Sequence, residues 1–416
     1  MKSIAQTTSV SIAHYTKRIL VTGGAGFIGS HVVIYLVKHY PQYYIVNLDS
    51  LEYCSCVRNV HTAITTCNHE QNVHAQNISA GCVKVPHEHL SKNEDGEVDV
   101  SQLSFCEPGN EYVSNEFLAT LPSNYKFIHG DISSADLVGY VLKTECIDTI
   151  MHFAAESHVD HSFGNSIEFS KTNILGTHVL LEAARLHRIN RFIHVSTDEV
   201  YGEVKECSKP MSEEHVLELT NPYAATKAGA EFLVKSYHRS FGLPTIITRS
   251  NNVFGPHQYP EKLIPKFINQ ILRDRPVTVH GDGMHTRNYL YISDVVDAFD
   301  LILHKGKVGE VYNIGGKNEV SNKNVAMDLL ALIKPQLLDH EKIKFITHVS
   351  DRPFNDQRYV IDASKISRLG WTEKVTWQAG LRKTVDWFRR HGHRFDNIDH
   401  ALEAHPVNFK KTFKIF

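Results

Sequence analysis

The chain has 416 residues, and its 44 Lys+Arg against 46 Asp+Glu leave a formal net charge of -2. That balance gives no electrostatic basis for a nucleic-acid or membrane-surface partner, and no stretch is apolar for long enough to span a bilayer. At roughly 100–200 residues per domain, the length predicts two domains or one elaborated domain.

The first stretch, MKSIAQTTSVSIAHYTKR, is broken by polar residues and lacks the apolar core of a signal peptide. The expectation is a cytoplasmic protein with reduced thiols. Seven cysteines, an odd number, do not read as a disulfide framework.

From Lys17 onward, short apolar runs alternate with helical stretches, which predicts a doubly wound parallel α/β sheet. Strands are expected at Arg18–Val21, Tyr44–Leu48, Lys126–Ile128, Thr149–Phe153, Arg191–Val195 and Thr245–Thr248. Helices are expected at Ile28–His39, Asn173–His187 and Tyr223–Tyr237. After about residue 250 the rhythm becomes irregular. The reading is therefore a dinucleotide-type domain over 17–250 and a smaller, mainly substrate-binding domain over 251–407.

One segment breaks the pattern. Between Tyr53 and Asn124 lies a stretch without periodicity, rich in His, Asn, Ser and Cys. Loops beyond about 12–15 residues are uncommon inside compact domains, so a disordered or loosely docked insertion over 54–124 is expected. Cys54, Cys56, Cys67 and His69 match no paired zinc-knuckle spacing, and no metal site is expected.

Ile19-Leu20-Val21-Thr22-Gly23-Gly24-Ala25-Gly26-Phe27-Ile28-Gly29 reads as a strand, a glycine turn and a helix start. Glycines permit the tight turn and let backbone amides approach a pyrophosphate at the helix N-terminus. Asp49 closes the next strand, where an acid holds a ribose 2′-hydroxyl and repels a 2′-phosphate. The cofactor implied is NAD rather than its phosphorylated form.

Tyr223-Ala-Ala-Thr-Lys227 places two side chains at i and i+4 on one helix face. A tyrosine with an unperturbed pKa near 10 needs a downward shift of about three units, roughly 4 kcal/mol, to act as a base at neutral pH. A neighbouring lysine and a positive nicotinamide ring can supply it. Upstream, a strand-like run ends in Thr197-Asp198-Glu199. Consecutive strand residues face opposite ways, so both acids can serve one pocket only if the chain leaves the strand there.

Together these motifs resemble the extended short-chain dehydrogenase/reductase superfamily, and Thr197-Asp198-Glu199 is similar to the signature of its nucleotide-sugar 4,6-dehydratases. HFAAESHVD, TNPYAATK, RSNNVFGPHQYPEKLIPKFI, HGDGMHTRNYLYISD, YNIGGKNE and DRPFNDQRYVID carry the resemblance from Lys17 to about Val407. It implies a lyase that converts dTDP-glucose to a 4-keto-6-deoxy-glucose nucleotide, with NAD regenerated. Tyr223 would take the 4-hydroxyl proton, with Lys227 and Thr197 stabilising the oxygen. Glu199 would remove the carbon-5 proton and Asp198 would protonate the departing 6-hydroxyl. Two crowded carboxyls share one proton more readily than isolated ones.

The same resemblance adds Asp131 and Ile132 near the adenine, and Ala154 and Thr172 near the nicotinamide half. On the substrate side it adds Ser157, Asn252, Lys262, Leu263, Arg287, Asn318 and Arg352. Arginine suits the diphosphate because its planar fork bonds phosphate bidentately. One departure stands out. Bacterial members typically carry Gly-His-Asp after the last Arg-Pro, whereas here Phe354-Asn355-Asp356 follows, so UDP-glucose is an alternative substrate. Helices 173–187 and 223–237 are apolar on more than one face, and family members pair through such helices, which implies a homodimer. The rival readings are an epimerase or decarboxylase, which the two acids oppose, and a binding protein that has lost turnover.

Overall fold

A computed structural model describes residues 15–65, 83–84, 104–105, 121–204, 209–352, 354–395 and 398–404. Strands β1 (Lys17–Thr22), β2 (Tyr43–Asp49), β3 (Val83–Lys84), β4 (Ser104–Phe105), β5 (Tyr125–His129), β6 (Thr149–His152), β7 (Arg191–Thr197) and β8 (Thr245–Ser250) come first in the chain. They are followed by β9 (Asn252–Phe254), β10 (Val277–His280), β11 (Thr286–Tyr291), β12 (Val311–Ile314), β13 (Asn318–Ser321) and β14 (Ile346–Val349).

Seven of these form a parallel sheet in the order β12-β8-β7-β6-β1-β2-β5, with short β3 and β4 beyond β5. The expected parallel α/β sheet is present. Ile19, Leu20 and Val21 are fully buried; Ile19 and Val21 join one apolar cluster and Leu20 the other. Burial on both faces is why these strands read as unbroken apolar runs.

The seventh strand, β12, comes from beyond residue 250 yet pairs with β8 in register Val311↔Ile247. The helix Ile292–Lys305 likewise packs against the helix Phe27–His39. The rest of the C-terminal stretch builds the sheet β13-β11-β9 and the parallel pair β10-β14.

The expected helix over 173–187 begins differently. Residues Ser170–Gly176 form a π-helical turn before the α-helix Thr177–Leu186. Such bulges often accompany functional sites, and this one carries Thr172 and Asn173. The helix Pro222–Phe241 starts at an Asn221 cap with Pro at its first turn and ends at Gly242 with φ 69°, both standard stop and start chemistry.

The insertion reading needs correction at its start. Residues 54–65 are docked: helix Arg58–Ile64 buries Val57, Val60 and Ile64 in the core, and Cys56 N–H donates to the Ala25 carbonyl at 2.9 Å. Three apolar side chains on one helix face outweigh the polar composition around them. Cys67, His69 and most of the remainder lie outside the described residues.

Candidate active site

Strand order reverses between β1 and β6, and open α/β sheets bind ligands in the crevice at such a point. The loops after these strands touch there. A Cβ on Gly23, whose φ is +69°, would lie 2.6 Å from Ala154 N, and one on Gly29 would lie 2.2 Å from the Gly23 carbonyl oxygen. The helix Phe27–His39 has Gly26 at its N-cap and no side-chain cap, so its first amides are free to bind an anion.

Asp49 is buried and shapes this turn. Its Oδ2 accepts from Ala25 N–H at 2.9 Å and its Oδ1 from Leu51 N–H at 2.9 Å. Burial pushes its carboxyl above the usual range, against the pull of those amides. Asp131 accepts from Ser133 N–H at 2.8 Å. Gly23, Gly26, Phe27, Ile28, Gly29, Asp49, Asp131, Ile132, Ala154 and Thr172 all line one cleft.

The same cleft reaches the catalytic candidates Thr197, Asp198, Glu199, Tyr223 and Lys227. After Thr197 the chain leaves β7 and winds into a 3-10 turn, Asp198–Tyr201. Thr197 Oγ1 caps it by accepting from Glu199 N–H at 3.3 Å and donates to Asp198 Oδ1 at 3.2 Å. Rotating by about 120° per residue rather than 180°, the turn sets the two acids side by side.

Two asparagines that motif reading missed hold them. Asn251 Nδ2 donates to Asp198 Oδ2 at 2.6 Å, while its oxygen accepts from Gly316 N–H at 3.1 Å. Asn221 Nδ2 donates to Glu199 Oε2 at 2.9 Å, and its oxygen caps the helix at Ala224 N–H, 2.8 Å away. The Asn-Pro pair at 221–222 signalled the cap. Nothing local signalled the bond to Glu199.

Burial, and then the Glu199 charge, raises Asp198 from 3.8 to about 7. Burial raises Glu199 too, opposed by the Asn221 hydrogen bond. Both shifts favour a proton held within the pair toward neutrality. Burial lowers Lys227 to about 8, with Glu231 opposing. Tyr223 shifts the other way from the sequence argument: burial, then Glu199, pushes its phenol up, while a hydrogen bond with Thr197 pulls it down.

An adjoining cleft holds Ser157, Asn252, Lys262, Leu263, Arg287, Arg352 and Asn355. Asn355 Oδ1 accepts from Arg287 Nη2 at 3.0 Å and from Arg352 Nη2 at 2.7 Å, so one amide aims both guanidinium forks. Tyr359 stacks under Arg287 at 4.6 Å and was not singled out from the sequence. Lys262 Nζ donates to the Ser157 carbonyl at 2.8 Å. Asn318 stands apart: its amide donates to Glu373 at 2.7 Å, and it lines neither cleft.

Comparison with known proteins accords with this geometry. Residues 104–384 match the family model described as GDP-mannose 4,6 dehydratase. A dTDP-D-glucose 4,6-dehydratase of Homo sapiens is 42% identical over 393 residues, 94% of this chain and 96% of that protein. A trifunctional UDP-glucose 4,6-dehydratase/UDP-4-keto-6-deoxy-D-glucose 3,5-epimerase/UDP-4-keto-L-rhamnose-reductase of Arabidopsis thaliana is 48% identical over 95% of this chain, but the chain spans only 50% of that protein's length. Among solved structures, the dTDP-glucose 4,6-dehydratase DesIV of Streptomyces venezuelae, with NAD and TYD bound, superposes with a TM-score of 0.72 at 34% identity, covering 91% of this chain and 99% of that one. With two thirds of its length under the family model and its fold shared with these enzymes, the chain belongs to the GDP-mannose 4,6 dehydratase family.

Proposed function

We propose that the chain is an NAD-dependent nucleotide-sugar dehydratase acting on dTDP-glucose, releasing one water to leave a 4-keto-6-deoxy sugar. The observation that carries this reading is the adjacent Asp198–Glu199 pair, with Asp198 buried, in one cleft with Tyr223 and Lys227. An epimerase has no water to expel and no use for such a pair.

The residues present fit NAD. Gly23 and Gly29 leave no room for a side chain against Ala154 and the turn, so the backbone can approach a pyrophosphate. The uncapped amides at Phe27 and Ile28 would hold that pyrophosphate, Asp49 the ribose hydroxyls and Asp131 the adenosine side, with Ala154 and Thr172 toward the nicotinamide. When bound, NAD supplies a hydride acceptor for carbon 4 and a donor for carbon 6.

The chain's own groups handle the protons. Tyr223 takes the proton of the 4-hydroxyl, with Thr197 and Lys227 stabilising the oxygen. Glu199 is the more exposed acid of the pair and faces the cleft as base toward carbon 5. Asp198 is protonated near neutrality and serves as acid to the departing 6-hydroxyl. Arg287, Arg352 and Lys262 hold the diphosphate, aimed by Asn355.

A second reading, UDP-glucose, draws support from the 48% identity to the Arabidopsis protein and from Phe354, 43% exposed at the nucleoside end. Exposed Ile167, Leu175, Phe232 and Phe241 on helices 166–186 and 222–241 support a homodimer through those faces. No helix among the described residues is long and apolar enough to cross a membrane, in keeping with a cytoplasmic enzyme. A nucleotide-binding unit over 17–250 and a mainly substrate-binding unit over 251–407 complete the reading. Incubation with dTDP-glucose and UDP-glucose in parallel, followed by mass spectrometry, tests it. A product lighter by one water with dTDP-glucose is expected; no loss with either sugar nucleotide overturns the assignment.

A further inference from the structure

Where the two clefts meet, three side chains from distant parts of the chain converge. His158 precedes the short helix Val159–Gly164, His161 lies one turn along it, and Glu261 comes from the loop before the helix Leu263–Leu272. One ligand atom from each lies within 4.8 Å of the other two. None of the three has a part in the proposed dehydration.

His158 is 8% exposed, yet its Nδ1 is buried without a hydrogen-bond partner. Leaving a buried polar nitrogen unpaired costs about 1–3 kcal/mol, a cost that a ligand bound there would remove. The other two members are linked through Tyr53, whose hydroxyl contacts His161 Nδ1 at 3.1 Å and both Glu261 oxygens at 3.0 Å. Tyr53 is 48% exposed, with solvent on one side of its ring. Nearby cations are already engaged: Lys262 with the Ser157 carbonyl, Arg352 with Asp160 at 3.3 Å and Lys266 with the Glu403 carbonyl at 2.6 Å.

We propose that His158, His161 and Glu261 form a binding site for one divalent transition-metal ion of the zinc class. Two imidazoles and one carboxylate are the donor set of three-ligand zinc sites, whose fourth position is left to water or a ligand. Imidazole selects zinc-like ions over magnesium or calcium, which prefer all-oxygen shells. A tetrahedral ion at 2.0–2.1 Å from its ligands needs donor atoms about 3.3 Å apart. The His161 side chain, 25% exposed, rotates to close the set as the ion displaces the Tyr53 hydroxyl. The ion then ties helix 159–164 and the loop carrying Glu261 into one unit beside the cleft.

The full chain, stripped with a chelator, is titrated with zinc against a chromophoric competitor and with cobalt(II) by absorption. The expected result is an ion whose cobalt spectrum shows a tetrahedral nitrogen–oxygen shell without a thiolate charge-transfer band. His161→Ala weakens it by more than the roughly 10–100-fold that outer partners command, while Cys54→Ser with Cys56→Ser leaves it unchanged. Zinc also raises the thermal midpoint of the wild type and not of His161→Ala. His158→Ala is the second variant; should it not fold, the partly exposed His161 still decides. Absence of binding, binding unchanged in His161→Ala, or a thiolate cobalt spectrum overturns the proposal.

Discussion

Replacing Asp198 by Asn removes a titration while keeping both hydrogen bonds. The substituted carboxamide retains an oxygen for Asn251 Nδ2, now 2.6 Å from Asp198 Oδ2, and offers an N–H to Thr197 Oγ1, now 3.2 Å from Oδ1. In the wild type, the unfolded carboxyl ionises near its ordinary value while the folded one holds its proton up to about 7. The native state therefore binds more protons in that window, and stability falls as pH rises through it. Between pH 5 and 7 the loss is about 1.4 kcal/mol per pH unit, roughly 2–3 kcal/mol in all, and above 7 it levels off. The variant lacks this slope. At about 2 °C per kcal/mol for a large chain, its thermal midpoint gains roughly 5 °C on the wild type between pH 5 and pH 8. Calorimetry or dye-monitored melting of both proteins at the two pH values measures this. An equal difference at pH 5 and pH 8 would show that Asp198 is ordinary and would remove the ground for its role as acid.

Glu199→Gln lowers turnover by about 10²–10⁴-fold and abolishes solvent deuterium incorporation at carbon 5, followed by mass spectrometry in heavy water. Asn221→Ala costs about 1 kcal/mol through the lost cap, read by denaturant unfolding. It also removes the donor that opposes the rise of Glu199, so the acid limb of the pH–rate profile moves to higher pH. Asn221→Asp restores the cap but not that limb. Gly29→Ala drives a methyl to within 2.2 Å of the Gly23 carbonyl, where backbone cannot yield. The variant retains little or no dinucleotide on purification, measured by chromatography of the heat-released cofactor, and a fully loaded Gly29→Ala would contradict the cradle.

Much of this was legible from local pattern, and what was not has a common cause. Strands buried on both faces announce themselves as apolar runs, which is why β1, β2, β5, β6, β7 and β8 were found, whereas β3 and β4, two residues each at the sheet edge, were not. β12 is only Val311–Ile314, four residues flanked by glycines, and its place at the sheet edge is set by β8, sixty residues earlier. Helix Arg58–Ile64 did carry a signal, since Val57, Val60 and Ile64 share helical spacing, but Cys, His and Asn around it masked the period. In the site, the glycine turn, Asp49 and the Tyr223–Lys227 pair are local motifs and were readable. Asn251 and Asn221 reach their acids across 53 and 22 residues, a relation that exists only once the fold has formed. Asn318 is the reverse case: a motif position whose amide the fold gives to Glu373.

The phenol of Tyr223 shows what the chain contributes and what it leaves to its ligands. Lysine at helical spacing was expected to draw that phenol toward neutrality, yet burial and the Glu199 charge outweigh it and push the group upward. Lys227 is brought down to about 8 by burial and stays mostly charged at neutral pH, yet this does not bring the phenol down. Lowering the phenol therefore falls to positive charge that a ligand brings beside the ring, and to protonation within the acid pair, which removes the repulsion from Glu199. The first arrives only with that ligand, whereas a proton on the pair is already favoured by the pocket itself near neutrality. A phenolate stabilised only once a ligand is bound leaves the resting pocket unreactive, and on the proposed mechanism the two acids meant for elimination restrain the oxidation that precedes it.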